Sequence, residues 1–500
     1  MTRTGEHGVA LVFTLFLMAA LSAMAVSIMF LAQTETSASR NYKTMSQARY
    51  AGEAGVHRAI HYLSSTTYTS LVTNTTGFDT TVSPVTYSGN PVVLAAVATD
   101  SNHPSTTIKS AYAALFSGAS LSVGSGATVT YAAKATLISM RQVTVYGGTS
   151  GVVQTWRIEA TGTVPGALAA TVEVAALLER DSTAAETYAI FATGSGCGAI
   201  TMTGNVRTDS YDSNSMTMSG GAPVTQSAGG SVGTNGNLSI AGQVNIAGNL
   251  DTPRTGVGNC TNGNITALTQ TGQANVSGDT IQLPQAKTYP TPALPSPLPP
   301  TTNLSITSST TCLSLSLYIS FPVTCSSSAA GNITLNSNGG TISLGNVTLS
   351  GGSTLTIDNG TSASPVTVNV NSFIMAGNSN LILGTDTSVT MNVVGTGVTG
   401  DVVDFTGGSF SNATFDPSKF QILYAGTGTM KYTGGNQTAA TVYAPNASVS
   451  MDGSGNFYGS ILSRQFTDTG GASVHYDRSL ASKFTVLGNH VMSSFSWQKY

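Results

Sequence analysis

The sequence predicts a mixed fold: a long N-terminal transmembrane α-helix, a small α+β module, and then a mainly β region wound as a right-handed parallel β-solenoid. Three observations lead there. An uncharged apolar run fills Val9 to Ala32, charged residues make up only 8% of the chain while Gly is 55 of 500, and beyond Tyr188 short apolar pairs alternate with Gly and Asn. A coiled coil or helical bundle needs abundant Glu, Lys, Leu and Arg, and a disordered tail needs high net charge or far fewer β-branched residues, so both are excluded. A net charge of −3, with 19 scattered basic residues, leaves no electrostatic footprint for nucleic acid.

The first element is the run VALVFTLFLMAALSAMAVSIMFLA, Val9 to Ala32. As a helix it is about 36 Å long, enough to cross a hydrocarbon core of about 30 Å. A signal peptide would have a shorter apolar region, and here the helical pattern runs on. Tyr42, Met45, Gly52, Val56, Ile60 and Leu63 recur at three- and four-residue spacings, with no Pro before Pro84. One helix from Val9 to Leu63 would be about 80 Å long, half in lipid and half on a domain. Gly52 and Gly55 cost about 1 kcal/mol each inside it, so close packing against a sheet or a neighbouring subunit should repay them. Arg40, Lys43 and Arg49 follow the span, whereas only Arg3 and Glu6 precede it. A positive-inside count would therefore hold the long region in the cytoplasm, against a composition that reads as extracellular β structure.

Residues 64–185 read as the α+β module. Ser64 to Ser70 and Asn102 to Thr107 are loops by composition, and strands are expected at Ala127 to Ala132, Gln142 to Tyr146, Trp156 to Gly162 and Thr171 to Leu177. A few strands after a long helix suggest a helix packed on an antiparallel sheet.

Two solenoid blocks follow, 186–288 and 307–490, separated by a Pro-rich linker at 289–306 and followed by a tail, 491–500. In GNLSIAGQVNIAGNL the apolar positions repeat every six residues, Leu238 to Val244 and Ile240 to Ile246. Farther on, strands are expected around Thr334, Ser343, Thr348, Thr356, Thr367, Ile382 and Thr390, each with internal alternation such as Val366/Val368/Val370. Apolar residues facing one continuous core, with Gly and Asn at the corners, are solenoid signs. A sandwich would show cleaner hairpin turns. The run YPTPALPSPLPP must be extended and unpaired, either linking the two blocks or strapping across one.

Cys197, Cys260, Cys312 and Cys325 all lie in the β region and allow three pairings. Disulfides are the natural state outside the cytoplasm. Cys312 with Cys325 would close a short loop and leave Cys197 with Cys260. Zinc would want closer pairs, so neither metal nor cofactor is expected. For catalysis, Asp209 with Asp212 and Asp401 with Asp404 are the carboxylate pairs to weigh, but residues three apart on a strand face opposite ways. Asp at solenoid corners more often caps a turn. Of the histidines, His7, His57 and His61 fall in the leader or helix and His103 in a loop, while His475 and His490 lie near the solenoid's end. No catalytic residue is assigned; the alternative reading is a membrane-anchored β-helix enzyme acting on polysaccharide.

The start GEHGVALVFTLFLMAALSAM and the later QARYAGEAGVHRAIHYL resemble the N-terminus of PilX-type minor pilins, which carry a short leader ending in Gly, an apolar helix and an Ala-Glu-Ala-Gly-like element, here Ala51 to Gly55. The resemblance implies a leader of residues 1–8, cleavage by prepilin peptidase after Gly8, methylation of the new amino terminus at Val9, and association with other pilins through the helix. It also implies residence in the bacterial inner membrane before assembly, then on the pilus or cell surface, with the large region outside the cytoplasm. The fifth mature position is Phe13, where major pilins have Glu. Either a tip position removes the need for a carboxylate, or Phe13 only marks the PilX type. GNVRTDSYDSNS and VYAPNASVSMDGSGNFYGSILSRQFTDTGGASVHYDRSL resemble the β-rich regions joined to such N-termini. The expected function is a minor pilin-like subunit of a type IV pilus or related filament, its head serving assembly initiation, capping, or adhesion to a surface or polysaccharide ligand.

Overall fold

The computed structural model describes residues 6–70, 77–123, 127–145, 150–166, 169–433 and 437–499. The expected strand residue Tyr146 and leader residues 1–5 lie outside them. The chain divides into two compact units. One comprises Met1–Val143, Gly151–Ser182 and Leu487–Tyr500; the other comprises Thr144–Ser150 and Thr183–Val486.

In the first unit a single helix, α1, runs Glu6–Ser64 without a break. Its second half packs on a sheet because its inner face is small. Ala48, Ala51, Val56 and Ala59 are fully buried, and a Cβ on Gly52 or Gly55 would stand 2.8 Å from Val174 or 3.0 Å from Ala160. The sheet contains β1 (Ala127–Thr144), β2 (Ser150–Val164) and β3 (Ala170–Ala184), ordered with the short strand Val93–Leu94 beside β1 and the C-terminal strand Thr485–Lys499 beside β3. β2 and β3 are antiparallel, Trp156 opposite Leu178 and Ala160 opposite Val174. The stretch set apart as a tail, 491–500, thus lies largely in sheet. A second helix, α2 (Thr106–Phe116), starts inside the segment that composition assigns to a loop. Ser105 accepts a hydrogen bond from the Ile108 amide, a capping contact that makes a Ser/Thr-rich stretch the start of a helix. α2 buries Ile108, Tyr112 and Phe116.

The second unit is a closed stack of parallel strands. Each coil passes through three faces in the same order, as in Ile190–Ala192, Ile200–Gly204 and Arg207–Tyr211. On the first face the inward positions form one apolar row: Ile342, Val368, Met391, Ile422, Val442, Ile461, Ile190, Val232 and Leu250, none more than 1% exposed. The order of that row gives the topology. Strand Asn456–Gly470 pairs in parallel with Ile190–Ala192 and Ile200–Gly204, so the late coils stack directly under the early ones. The chain enters mid-stack at Ile190, winds outward to Gln282, returns to the far end, and winds back from Asn303 to Asp477. The stretches read as two blocks share one core.

The Pro-rich run is the return path, a strap. From Gln282 to Asn303 it passes ten rung spacings, about 48 Å at ~4.8 Å each. Twenty residues of polyproline-type chain span about 62 Å, which suffices. Its contacts descend the stack in order: the Lys287 amide donates to Asn235 at 2.8 Å, the Tyr289 ring lies 5.0 Å from Phe191, the Tyr443 hydroxyl donates to the Pro290 carbonyl at 2.8 Å, and Asn446 donates to Thr291 at 3.1 Å. At the Asn303 end an excursion folds back as a cap. There the strand Thr324–Ala329 runs antiparallel to Asn332–Asn336, covering what would be an open edge, and Leu315 and Val323 are buried against the core.

Candidate functional site

Among the described residues, the uncovered half of α1 and the outer faces of the solenoid are the most extended surfaces that can carry function. From Val9 to Tyr42 every residue of α1 is exposed, with mean hydropathy 2.5 over its most apolar 18 residues. Thr14, Ser22, Ser27, Thr34 and Thr36 each turn the hydroxyl back to a carbonyl three or four residues earlier, at 2.7 to 2.8 Å. Within Val9 to Ala32 each hydroxyl, on Thr14, Ser22 and Ser27, therefore donates inside the helix and needs no partner from lipid or from another helix. Val9 and Phe13 lie on this exposed surface, and Gly8 sits in the first turn of α1.

The carboxylates considered for catalysis do not converge. Asp212 and Asp404 each cap a turn, accepting from the Asn214 amide at 3.0 Å and the Thr406 amide at 2.8 Å. Asp401 pairs with Lys431 at 2.9 Å and accepts from Thr429. Asp209 is buried and paired with His475, Oδ1 to Nδ1 at 2.5 Å, while the other ring nitrogen faces Asn456 Oδ1 at 3.0 Å and Arg207 holds the second carboxylate oxygen at 3.2 Å. With both nitrogens engaged and the ring lying 4.6 Å from that of Tyr458, His475 has no free edge for a substrate. This pair joins residues 266 apart, and no local spacing announces it. His103 is also structural. It accepts from the Ser105 amide at the start of α2, and burial pushes it down to about 4. The sulfurs of Cys197 and Cys260 are bonded, as are those of Cys312 and Cys325. Among the described residues no three His, Cys, Asp or Glu side chains come together as a metal site.

One face of the solenoid is ordered on a scale the linear reading missed. Five segments stack in register: VSMDG (449–453), FTDTG (466–470), ITMTG (200–204), LSIAG (238–242) and LTQTG (268–272). Their second positions make an outward column of Ser450, Thr467, Thr201, Ser239 and Thr269. Their fourth positions make another of Asp452, Thr469, Thr203, Ala241 and Thr271. The columns are about 19 Å long and carry one charge. The closing glycines mark the corner: Gly204 has φ +102°, and a Cβ there would stand 2.1 Å from the Gly470 carbonyl oxygen. The five-residue pattern is in the sequence, but separations of 17 to 266 residues between neighbouring rungs hide it.

Residues 7–57 match the PilX N-terminal family, and residues 320–483 match a domain of unknown function, DUF7305. The second match starts in the cap and ends just past Asp477, leaving out the coils from Ile190 to Gln282. The crystal structure of the competence-associated pilin ComZ from Thermus thermophilus is similar over 91% of this chain and 98% of that one, at 15% identity and a TM-score of 0.24, a likeness too slight to carry a structural argument. No curated protein matches the chain.

Proposed function

We propose, from the premise that residues 7–57 make this a type IV minor pilin-like chain of the PilX type, that it enters a pilus or related filament by its N-terminal helix and carries the β-rich head outside the cytoplasm. The observation that carries the reading is the division of α1. One half is an uncovered apolar rod, and the other is built into a sheet by Ala48, Ala51, Gly52 and Gly55. Such a helix links a membrane or filament core rigidly to whatever the sheet supports. The leader of residues 1–8, prepilin peptidase as processing partner, methylation at Val9 and a right-handed winding of the solenoid belong to the same proposal. So does retention of the Cys197–Cys260 and Cys312–Cys325 bonds in the exported protein. Intact-mass measurement of membrane-extracted protein should show loss of residues 1–8 and a methylated Val9. An unprocessed Met1, or cleavage near Ala32, would overturn the reading.

For the head, the hydroxyl columns favour adhesion to a neutral surface such as a polysaccharide over turnover. They form a row of weak polar groups with only one charge, in which Thr469 already donates to Asp452 and Thr269 to the Gly258 carbonyl. A cell carrying Thr203→Lys with Thr271→Lys should keep its filament number and lose surface attachment several-fold, because two cations on the part of the array that lies away from Asp452 must be desolvated without partners. Wild-type attachment by that strain would remove the columns from the adhesive role.

A further inference from the structure

We propose that the C-terminal strand of the first unit, through Phe495 and Trp497, is the receiving surface for the uncharged N-terminal helix of an adjacent pilin-type subunit. This rests on the minor-pilin reading and supplies what it lacks, a place on this chain for the neighbour.

The strand is the outer edge of its sheet, beside β3, and from Val491 to Trp497 every side chain is exposed. Alternation puts Val491, Phe495 and Trp497 on one face. That face is the helix side, because the Arg49 guanidinium of α1 lies 5.2 Å from the Trp497 ring centre. Phe495 meets Trp497 edge-on at 6.3 Å, and the three side chains remain 50%, 37% and 46% exposed. Arg49 also lies 5.0 Å from the Tyr50 ring centre and pairs with Glu53 at 3.4 Å, so the charge at this shelf is balanced within the chain. An aromatic cluster with an Arg at its margin is the composition that dominates protein interfaces.

The occupant follows from what the unit leaves uncovered. Burial along α1 begins at Thr44, so the shelf stands where the helix enters the fold, continuous with the exposed rod. The rod cannot fold back onto it: Ala32 is 17 residues before Arg49 on the same unbroken helix, about 26 Å along its axis. The unit thus carries an apolar rod and an aromatic shelf that cannot meet within one chain. Rod-on-shelf contact between subunits is heterologous, and heterologous contacts that do not close build open helical filaments. A helix without charge over Val9 to Ala32 also suits a shelf whose own ion pair is already satisfied.

The test uses the full chain in filaments from its own cells. A benzophenone attached to the thiol of Trp497→Cys should, on illumination, give adducts with peptides from the first ~25 mature residues of a pilin-type subunit, the length of helix that spans a membrane. Adducts confined to head peptides, to the same strand of a second copy, or to lipid would overturn the proposal. In parallel, Phe495→Ser with Trp497→Ser should lower recovery in the sheared filament fraction by about tenfold or more, with Trp497→Phe close to wild type. Wild-type recovery of the double Ser variant would also overturn it. Absence of the unmutated chain from filaments would instead remove the minor-pilin reading on which the proposal stands.

Discussion

Raising the pH from about 4 to about 8 should strip the β-solenoid of about 4–6 kcal/mol of stability through one side chain, Asp468. Its place in the ladder is inward, between Met451 and Met202 on the neighbouring rungs, and both carboxyl oxygens are buried without a hydrogen-bond partner. Burial, followed by the nearby Asp452 charge, pushes its pKa from 3.8 up to about 8. In the unfolded chain the group ionises near 3.8; in the fold it keeps its proton until about 8. The unfolded state therefore binds fewer protons across that window, and stability falls by about 1.4 kcal/mol per pH unit until the folded group ionises too. Below the unfolded value the contribution is intact, and above about 8 it is gone. Asp468→Leu should flatten the profile and leave the head more stable than wild type at pH 8, since Leu fits a row of Met and Ile and needs no partner. Denaturant titrations at closely spaced pH values read both effects. A wild-type midpoint that does not move between pH 4 and 8 would show that Asp468 has a partner or a route to water.

The N-terminal half of the first unit was legible because a helix that must be apolar for 24 residues and small-faced for the next stretch can hardly be encoded another way. Gly52 and Gly55, costly inside a helix, already demanded a close neighbour, and that neighbour is the sheet at Val174 and Ala160. The strands around Thr334, Ser343, Thr356, Thr367, Ile382 and Thr390 were legible for a related reason, since alternation with a fixed inward face is local. The path of the chain was not. The six-residue spacing between Leu238 and Val244 is a step from one face to the next within a coil, whereas the rung above Leu238 is Leu268 and the rung below is Ile200. Coil lengths vary because excursions such as 212–229 and 253–267 leave from the corners, so no constant period survives. Mid-stack entry is less visible still. It depends on Phe466 lying beside Ile200, and nothing near either residue records that pairing. The Asp209–His475 contact was hidden by the same long separation. α2 was missed for a different reason, as Ser and Thr before a helix serve as caps and before a loop as ordinary loop residues, and composition does not separate the two.

Gly162→Ala should cost the first unit about 3 kcal/mol, lowering its melting transition by about 6–12 °C while leaving that of the solenoid in place. Gly162 lies on β2 opposite Val172, directly beneath α1. A Cβ there would stand 2.0 Å from the Ala48 carbonyl oxygen, 2.5 Å from the Gly52 amide nitrogen and 2.9 Å from the Ala51 Cβ. Two of these are backbone atoms of the helix itself, so no rotamer change relieves the clash and α1 must lift from the sheet. Lifting it loses packing at Ala48, Ala51 and Val56 together, which is why a single methyl acts here like the loss of a whole contact face. Gly196→Ala is the matched control. That glycine has no atom within 4 Å of its would-be Cβ, and its replacement should stay within about 0.5 kcal/mol. Calorimetry of the detergent-solubilised chain should resolve two transitions, with only the first unit's shifting in Gly162→Ala. A common shift of both would mean that the units melt as one body, and no shift would mean that the helix is not seated on Gly162. Because α1 also carries the exposed apolar rod, the proposed function requires that the same substitution cut recovery in filaments, tying the fit of one glycine against Ala48 to assembly.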